Sequence, residues 1–174
     1  YGLFCKEINN LKIAKNLFIL SIKKYPSKIN SYILLAEILR EENQVNDALK
    51  TLYTAKKIEK SNPDIDYNLS ISYKTIKSFR EAILSIDSAI KLQPKNPIYQ
   101  ILKADILVEF FKNEEAKKLL VNLKLESDSL LYFQKEILIS KIFINQKKYK
   151  LAEGVLLGLS CLLYTSDAAD EHSW

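Results

Sequence analysis

Small and bulky apolar positions recur along this chain at a fixed interval of 34 residues. The anchors of the pattern are four alanines: Ala14, Ala48, Ala82 and Ala116. A bulky apolar residue follows each anchor by four positions: Phe18, Leu52, Ile86 and Leu120. A small residue precedes each by twelve: Gly2, Ala36, Ser70 and Ala104. A fifth unit fits after a two-residue insertion, with Ala152 as anchor and Ser140 as the preceding small residue. Repetition of this length indicates one structural unit copied along the chain.

Each unit contains two stretches in which apolar residues recur at helical spacing, joined by a short polar connection. This pattern is typical of antiparallel helix pairs. Small residues at fixed heights let the two helices approach closely, and the bulky residues fill the space beside them. The pattern predicts first helices over 30–42, 64–77, 97–111 and 129–145. It predicts second helices over 9–25, 46–60, 80–93, 114–126 and 149–160. Because one pair cannot bury its apolar face alone, the pairs must stack into an array.

The third unit carries the fullest form of the motif: Asn68-Leu69-Ser70, Tyr73, Phe79, Arg80-Glu81-Ala82-Ile83, Ala89-Ile90-Lys91-Leu92 and Pro94. These residues resemble the tetratricopeptide repeat, a helix–turn–helix unit of 34 residues. The resemblance extends over nearly all of residues 1–160. The chain departs from the motif in lacking tryptophan at the signature site of the first helix, and in having Lys60 and Asp128 where a unit usually ends in proline. The resemblance implies an all-α fold, a right-handed superhelical solenoid of antiparallel helix pairs.

The period also sets the expected domain boundaries. We predict a partial first repeat over 1–28, complete repeats over 29–62, 63–96 and 97–130, and a truncated fifth repeat over 131–160. Residues 161–171 resemble translated sequencing-adapter DNA, so 161–174 is interpreted as a non-native tail and left out of the fold prediction. Residue 1 is tyrosine and the chain contains no methionine, so we expect the natural start to be missing.

Composition argues against catalysis once that tail is set aside. The remaining chain has 26 basic and 18 acidic residues, a net charge of +8, and the only histidine, His172, lies in the tail. Nucleophile pairs that need histidine are therefore excluded from the rest of the sequence. No phosphate-binding glycine motif or metal-ligand spacing occurs, and Cys5 is interpreted as a packed apolar residue rather than a reactive thiol. We expect no enzymatic activity, no cofactor and no metal site in this chain.

Lysine accounts for all but two of the basic residues. With the abundant Ile, Asn and Tyr, this suggests the codon bias of an AT-rich genome and a bacterial, metagenomic origin. The lysine clusters fall mainly on predicted second helices and their turns: Lys23-Lys24, Lys56-Lys57-Lys60, Lys117-Lys118 and Lys147-Lys148-Lys150. A continuous stripe of them would favour nucleic-acid binding, but we favour solvated lysines that keep an array soluble. No apolar run reaches the roughly 20 residues that a membrane-spanning helix needs.

The resemblance implies that first helices line a concave groove suited to a peptide. Offsets from the small-residue site place there a set of polar, charged and aromatic side chains: Glu37, Arg40, Tyr67, Asn68, Lys74, Asp105, Glu109 and Lys141. Some repeats of this kind grip a C-terminal carboxylate with Lys and Asn residues on three successive units. Asn68 alone matches that clamp here, so a carboxylate-clamp binder of chaperone tails is not expected.

The sequence therefore predicts a scaffold that binds a partner protein or peptide in the groove. One alternative stays open, in which the array recruits substrates for a larger enzyme of glycosyltransferase or sulfotransferase type. A nucleic-acid-binding helical repeat is a less favoured alternative. A cytoplasmic location is favoured, and a periplasmic one stays open because the start of the chain is missing.

Overall fold

The computed structural model describes the backbone of residues 10–126 and 129–171, and the side chains of these ranges as far as residue 160. The described residues form nine α-helices and no strand. The helices are α1 Leu11–Lys24, α2 Ile29–Glu41, α3 Val45–Ile58, α4 Pro63–Thr75, α5 Phe79–Leu92, α6 Pro97–Glu109, α7 Asn113–Asn122, α8 Leu130–Asn145 and α9 Tyr149–Glu171. Gly2 and Cys5, which the sequence pattern assigned to the first unit, lie outside the described residues, as does Asp128.

Two helices end furthest from their predicted bounds. Helix α7 ends at Asn122 rather than near residue 126, because Leu123 is extended and buried and its carbonyl accepts a hydrogen bond from Lys135 Nζ at 3.0 Å. The connection between α7 and α8 therefore begins early, at Leu123. Helix α9 runs to Glu171, through the segment interpreted as a non-native tail.

The same three-residue turn joins the two helices of each complete pair, and its middle residue has a positive φ. These residues are Asn43, Lys77, Phe111 and Lys147, with φ between 57° and 61°. In each turn the residue after the positive-φ position donates its N–H to a carbonyl five residues earlier, as in Gln44 to Leu39 at 2.7 Å and Lys112 to Leu107 at 2.8 Å. This is the Schellman pattern that ends a helix and reverses the chain. Glycine is the residue that adopts such a conformation without strain, and none of the four is glycine.

Phe111 is the most demanding of these residues, since it is aromatic, 77% exposed and held at φ 58°. We expect Phe111→Gly to raise the free energy of unfolding by about 1 kcal/mol, because it removes the Cβ clash of the left-handed conformation. Urea unfolding followed by circular dichroism measures the change. Phe111→Ala keeps the clash and removes only the exposed ring, so its free energy of unfolding should stay near that of the original chain. An equal gain in both variants would contradict this explanation.

The anchors of the 34-residue pattern lie where the helices cross. The four anchor alanines are fully buried, and Ala152 in the fifth unit is 3% exposed. The preceding small residues described are buried too: Ala36, Ser70, Ala104 and Ser140. The Ser70 hydroxyl donates to the carbonyl of Ala82 at 2.9 Å, which ties the small residue of α4 to the anchor of α5. Serine therefore serves at this crossing because it has a backbone acceptor there.

The helices divide into two compact units, residues 1–94 and 95–174. In unit 1, α2 packs on α3 and α4 packs on α5, while α4 also contacts α2 and α3. In unit 2, α6 packs on α7 and α8 packs on α9, while α8 also contacts α6 and α7. Each unit thus brings two first helices side by side, α2 with α4 and α6 with α8. None of the helices in the described ranges is long and apolar enough to cross a membrane.

Candidate functional site

The predicted groove residues of unit 1 lie on the adjoining first helices α2 and α4. Arg40 on α2 reaches across to α4, where its guanidinium donates to Asn68 Oδ1 at 3.0 Å and to Ser72 Oγ at 3.2 Å. Burial lowers the pKa of Arg40, and the nearby Glu37 and Tyr67 oppose that shift. The guanidinium still carries its charge at neutral pH. Arg40 therefore joins the two helices with charge-assisted hydrogen bonds.

Asn68 lies inside the array rather than on its surface. It is 4% exposed, and its amide group also donates to the Asp64 carbonyl at 2.9 Å. Its oxygen and its amino group both have partners, so Asn68 positions the guanidinium of Arg40 and does not present a polar group to a ligand. Ser72, which sequence reasoning missed, completes this arrangement by donating to the carbonyl of Asn68 at 2.9 Å.

Tyr67 and Lys74 lie on the same helix and are only partly buried. Burial raises the pKa of the Tyr67 phenol, and the neighbouring Arg40 opposes that shift. The phenol is consequently a neutral hydrogen-bonding group at neutral pH. Glu37 on α2 is also partly buried, so these three side chains give the α2–α4 face its accessible polar and aromatic character.

The groove residues of unit 2 lie on α6 and α8. Asp105 Oδ1 and Lys141 Nζ are 3.8 Å apart, with their side chains 21% and 51% exposed. The Asn145 side chain of α8 donates to the Val108 carbonyl of α6 at 3.4 Å, which fixes the register of the two helices. Glu109 is exposed at the C-terminal end of α6. The structure thus brings the predicted residues together as two separate groups, one in each unit.

A buried ion pair in unit 1 was not foreseen from the sequence. Asp66 lies in the first turn of α4 and is 2% exposed, and its carboxylate binds Lys56 Nζ from α3. Asp66 occupies the first-helix site where the repeat motif carries its signature tryptophan. The sequence shows that this tryptophan is absent. Asp66 at its position, ten residues after Lys56, was the signal from which an ion pair could have been predicted.

Tyr53 on α3 and Tyr73 on α4 form a second unforeseen contact, with their hydroxyl oxygens 2.7 Å apart. Burial and the bond to Tyr53 raise the pKa of Tyr73 to about 12. We expect Tyr53→Phe to lower the pKa of Tyr73 towards the ordinary tyrosine value of about 10, because the hydrogen bond to the neutral phenol is lost.

Ultraviolet titration of tyrosinate measures this shift. Because the folded pKa lies above the unfolded one, the neutral pair stabilises the fold below about pH 10, and this contribution is lost as the pH rises towards 12. The Tyr25→Phe variant serves as a control, since Tyr25 lies outside the pair. An unchanged high-pH transition in Tyr53→Phe would contradict the assignment.

Several lysines of the predicted clusters have partners within the chain. Lys56 pairs with Asp66, Lys24 Nζ lies 5.4 Å from the centre of the Tyr25 ring, and Lys117 Nζ lies 5.8 Å from that of Phe143. Local pairing of this kind explains part of the lysine pattern without a nucleic-acid ligand. Within the ranges that the structure describes, no group of three or more His, Cys, Asp or Glu side chains could hold a metal ion.

The comparison with solved structures identifies the fold. A chain with nearly identical TPR-like repeats from a putative kinesin light chain of Podospora anserina is 15% identical, with a TM-score of 0.80 over 96% of this chain and 93% of its own. A thermophilic TPR protein of Thermus thermophilus is 15% identical, with a TM-score of 0.74 over 88% of this chain and 84% of its own. These likenesses confirm the predicted all-α fold of tetratricopeptide-type helix pairs.

Other similar structures are longer than this chain. A tetratricopeptide repeat protein of Parabacteroides merdae is 13% identical, with a TM-score of 0.74 over 93% of this chain, which spans only 64% of its length. No model of a known protein family matches the sequence, and no curated protein matches it. Identities this low establish the fold, and the function has to be argued from the residues of the two first-helix faces.

Proposed function

We propose that this chain is a protein-binding scaffold that holds a segment of a partner protein on its first-helix faces. The main support is that the Arg40–Asn68 hydrogen bond holds α2 and α4 together. Tyr67 and Lys74 lie beside this contact and are only partly buried, so a partner can reach them. A face whose supporting side chains are already ordered loses little entropy on binding. Tyrosine is enriched among the residues that contribute most to protein–protein affinity.

The comparisons support a scaffold of this class. The similar structures are tetratricopeptide repeat proteins, a fold that generally mediates protein–protein interaction. The structure of Naa15/Naa10 bound to HypK is also similar, with a TM-score of 0.59 over 91% of this chain and 24% of the matched chain. In this proposal the array acts by presenting a surface to its partner.

Selection from a library of random peptides tests the proposal. We expect peptides selected on the whole chain to bind the Tyr67→Ala/Lys74→Ala variant about tenfold or more weakly, measured by fluorescence anisotropy. The matched control is Thr54→Ala/Lys57→Ala, which alters two exposed side chains of the second helix α3 and should change affinity less than about twofold. Equal affinity for the original chain and the Tyr67/Lys74 variant would remove this face from the proposal.

Recruitment of substrates to a larger enzyme is the second candidate, and it uses the same faces. It differs in requiring a catalytic domain beside the array. A catalytic domain encoded in the same reading frame as the array would support it. The nucleic-acid alternative makes a different prediction, a steep loss of affinity for single-stranded RNA as salt rises. Salt-independent peptide binding with no RNA binding would reject that alternative.

A further inference from the structure

The α6–α8 face of unit 2 carries three half-exposed isoleucines. Ile98 on α6 is 45% exposed, and Ile137 and Ile144 on α8 are 42% and 46% exposed. Buried partners are the usual environment of isoleucine, and these three share one face with the Asp105–Lys141 pair. The three isoleucines, this ion pair and Glu109 are named the unit 2 face.

Side-chain spacing shows that the apolar and polar groups of this face alternate along the helix axes, and position along these axes is called height below. On α8, residues 137, 141 and 144 are separated by four and three positions, so they form one stripe along the helix. On α6, residues 98, 105 and 109 form a stripe by the same rule. The contact between Asp105 and Lys141 places the two stripes side by side. The face therefore has apolar side chains at two heights with an ion pair between them.

The distance between the two apolar heights favours a helix over an extended segment. Seven residues of α8 separate Ile137 from Ile144, a rise of about 10.5 Å. A partner helix lying along α8 meets both with side chains seven residues apart, and its residue three or four positions after the first faces the ion pair. In an extended strand, side chains on one face recur every 6.4–6.8 Å or so, which does not match this interval.

Charge decides the remaining side chains of the partner. A partner that covers Asp105 and Lys141 must supply hydrogen bonds, because covering an ion pair with apolar atoms alone is costly. Glu109 lies exposed four residues beyond Asp105 and would repel an acidic residue while attracting a basic one. A glutamine or asparagine at the centre and a lysine or arginine beside Glu109 meet both conditions.

We infer that the unit 2 face docks an amphipathic helix of a partner protein, with aliphatic residues at positions i and i+7, an amide residue at i+3 or i+4, and a basic residue towards Glu109. This inference rests on the proposed scaffold function and adds the chemistry of the bound segment. Leucine or isoleucine at i and i+7 covers Ile137 and Ile144.

The test uses a displayed library of random peptides of about 16 residues, long enough for about 24 Å of helix. Peptides are selected on the whole chain, and each one is then measured against the Ile137→Ser/Ile144→Ser variant, which changes half-exposed side chains only. We expect a class of the selected peptides to carry the aliphatic, amide and basic pattern and to gain helical circular dichroism when bound. Their affinity for the Ile137→Ser/Ile144→Ser variant should be lower by about tenfold or more.

The matched control is Val121→Ser/Leu130→Ser, which removes apolar side chains that are 66% and 73% exposed elsewhere in unit 2 and should leave affinity within about twofold. Proline at the centre of a selected peptide should abolish binding, because it breaks the helix. The inference is overturned if every selected peptide is rich in proline, acidic, or indifferent to the isoleucine changes. If such peptides still depend on Tyr67 and Lys74, the scaffold proposal survives. If no peptide distinguishes any variant from the original chain, both proposals fail.

Discussion

Replacing Ile86 by alanine is expected to lower the free energy of unfolding of unit 1 by about 3 kcal/mol. Ile86 is fully buried on α5, four residues after the anchor Ala82, where α5 packs against α4. Its truncation removes apolar contacts and leaves a cavity that the small residues at the crossing cannot fill, since their own positions are set by helix contact. Urea unfolding monitored by circular dichroism at 222 nm measures the loss.

Leu84→Ala is the matched control for this change. Leu84 lies two residues earlier on the same helix and is 69% exposed, so its truncation also places alanine in α5 but with little loss of packing. We expect its effect to be smaller than about 0.5 kcal/mol. Comparable losses at the two positions would mean that the residue four after the anchor does not hold the pair together.

The packing contacts that recur in every unit were predictable from the sequence, because each unit shows the same limit on side-chain size at the same position. Any one buried alanine is uninformative, whereas alanine at Ala14, Ala48, Ala82 and Ala116 identifies a crossing that admits only a small side chain. The turns were located for the same reason. The positive φ of Phe111 and Lys77 was not foreseen, because neither residue type signals a left-handed conformation.

The polar contacts were less predictable because they occur once each. Asn68 was assigned to the groove from its offset along α4, but an offset gives only the direction of a side chain and not its burial. The guanidinium of Arg40 lies over Asn68 and donates a hydrogen bond to its side-chain oxygen. Ile137 and Ile144 were missed for the opposite reason. Isoleucine in a helix pattern indicates core, and only the coordinates show these two to be half-exposed.

Replacing Lys56 by methionine is expected to lower the free energy of unfolding by about 2 kcal/mol. The change preserves most of the apolar stem of the side chain but leaves the Asp66 carboxylate, which is 2% exposed, without its cationic partner. A buried carboxylate that loses its only ion-pair partner retains the cost of desolvation and loses the attraction that offset it. The expected loss is smaller than the roughly 3–5 kcal/mol that is usual when one partner of a buried pair is removed, because Lys56 itself is 35% exposed and solvent screens part of the pair.

The double variant Lys56→Met/Asp66→Leu separates the two contributions. Removing both charges replaces a buried ion pair with apolar contact, which is close to neutral in many proteins, so its free energy of unfolding should lie within about 1 kcal/mol of the original chain. Lys57→Met alters the neighbouring exposed lysine and should have little effect. A double variant as unstable as Lys56→Met alone would show that the loss does not come from an unpaired Asp66 carboxylate. Recovery in the double variant would instead show that the loss in Lys56→Met comes from the buried Asp66 carboxylate without its cation, so a charge at the tryptophan site of the repeat motif is tolerated only with its partner.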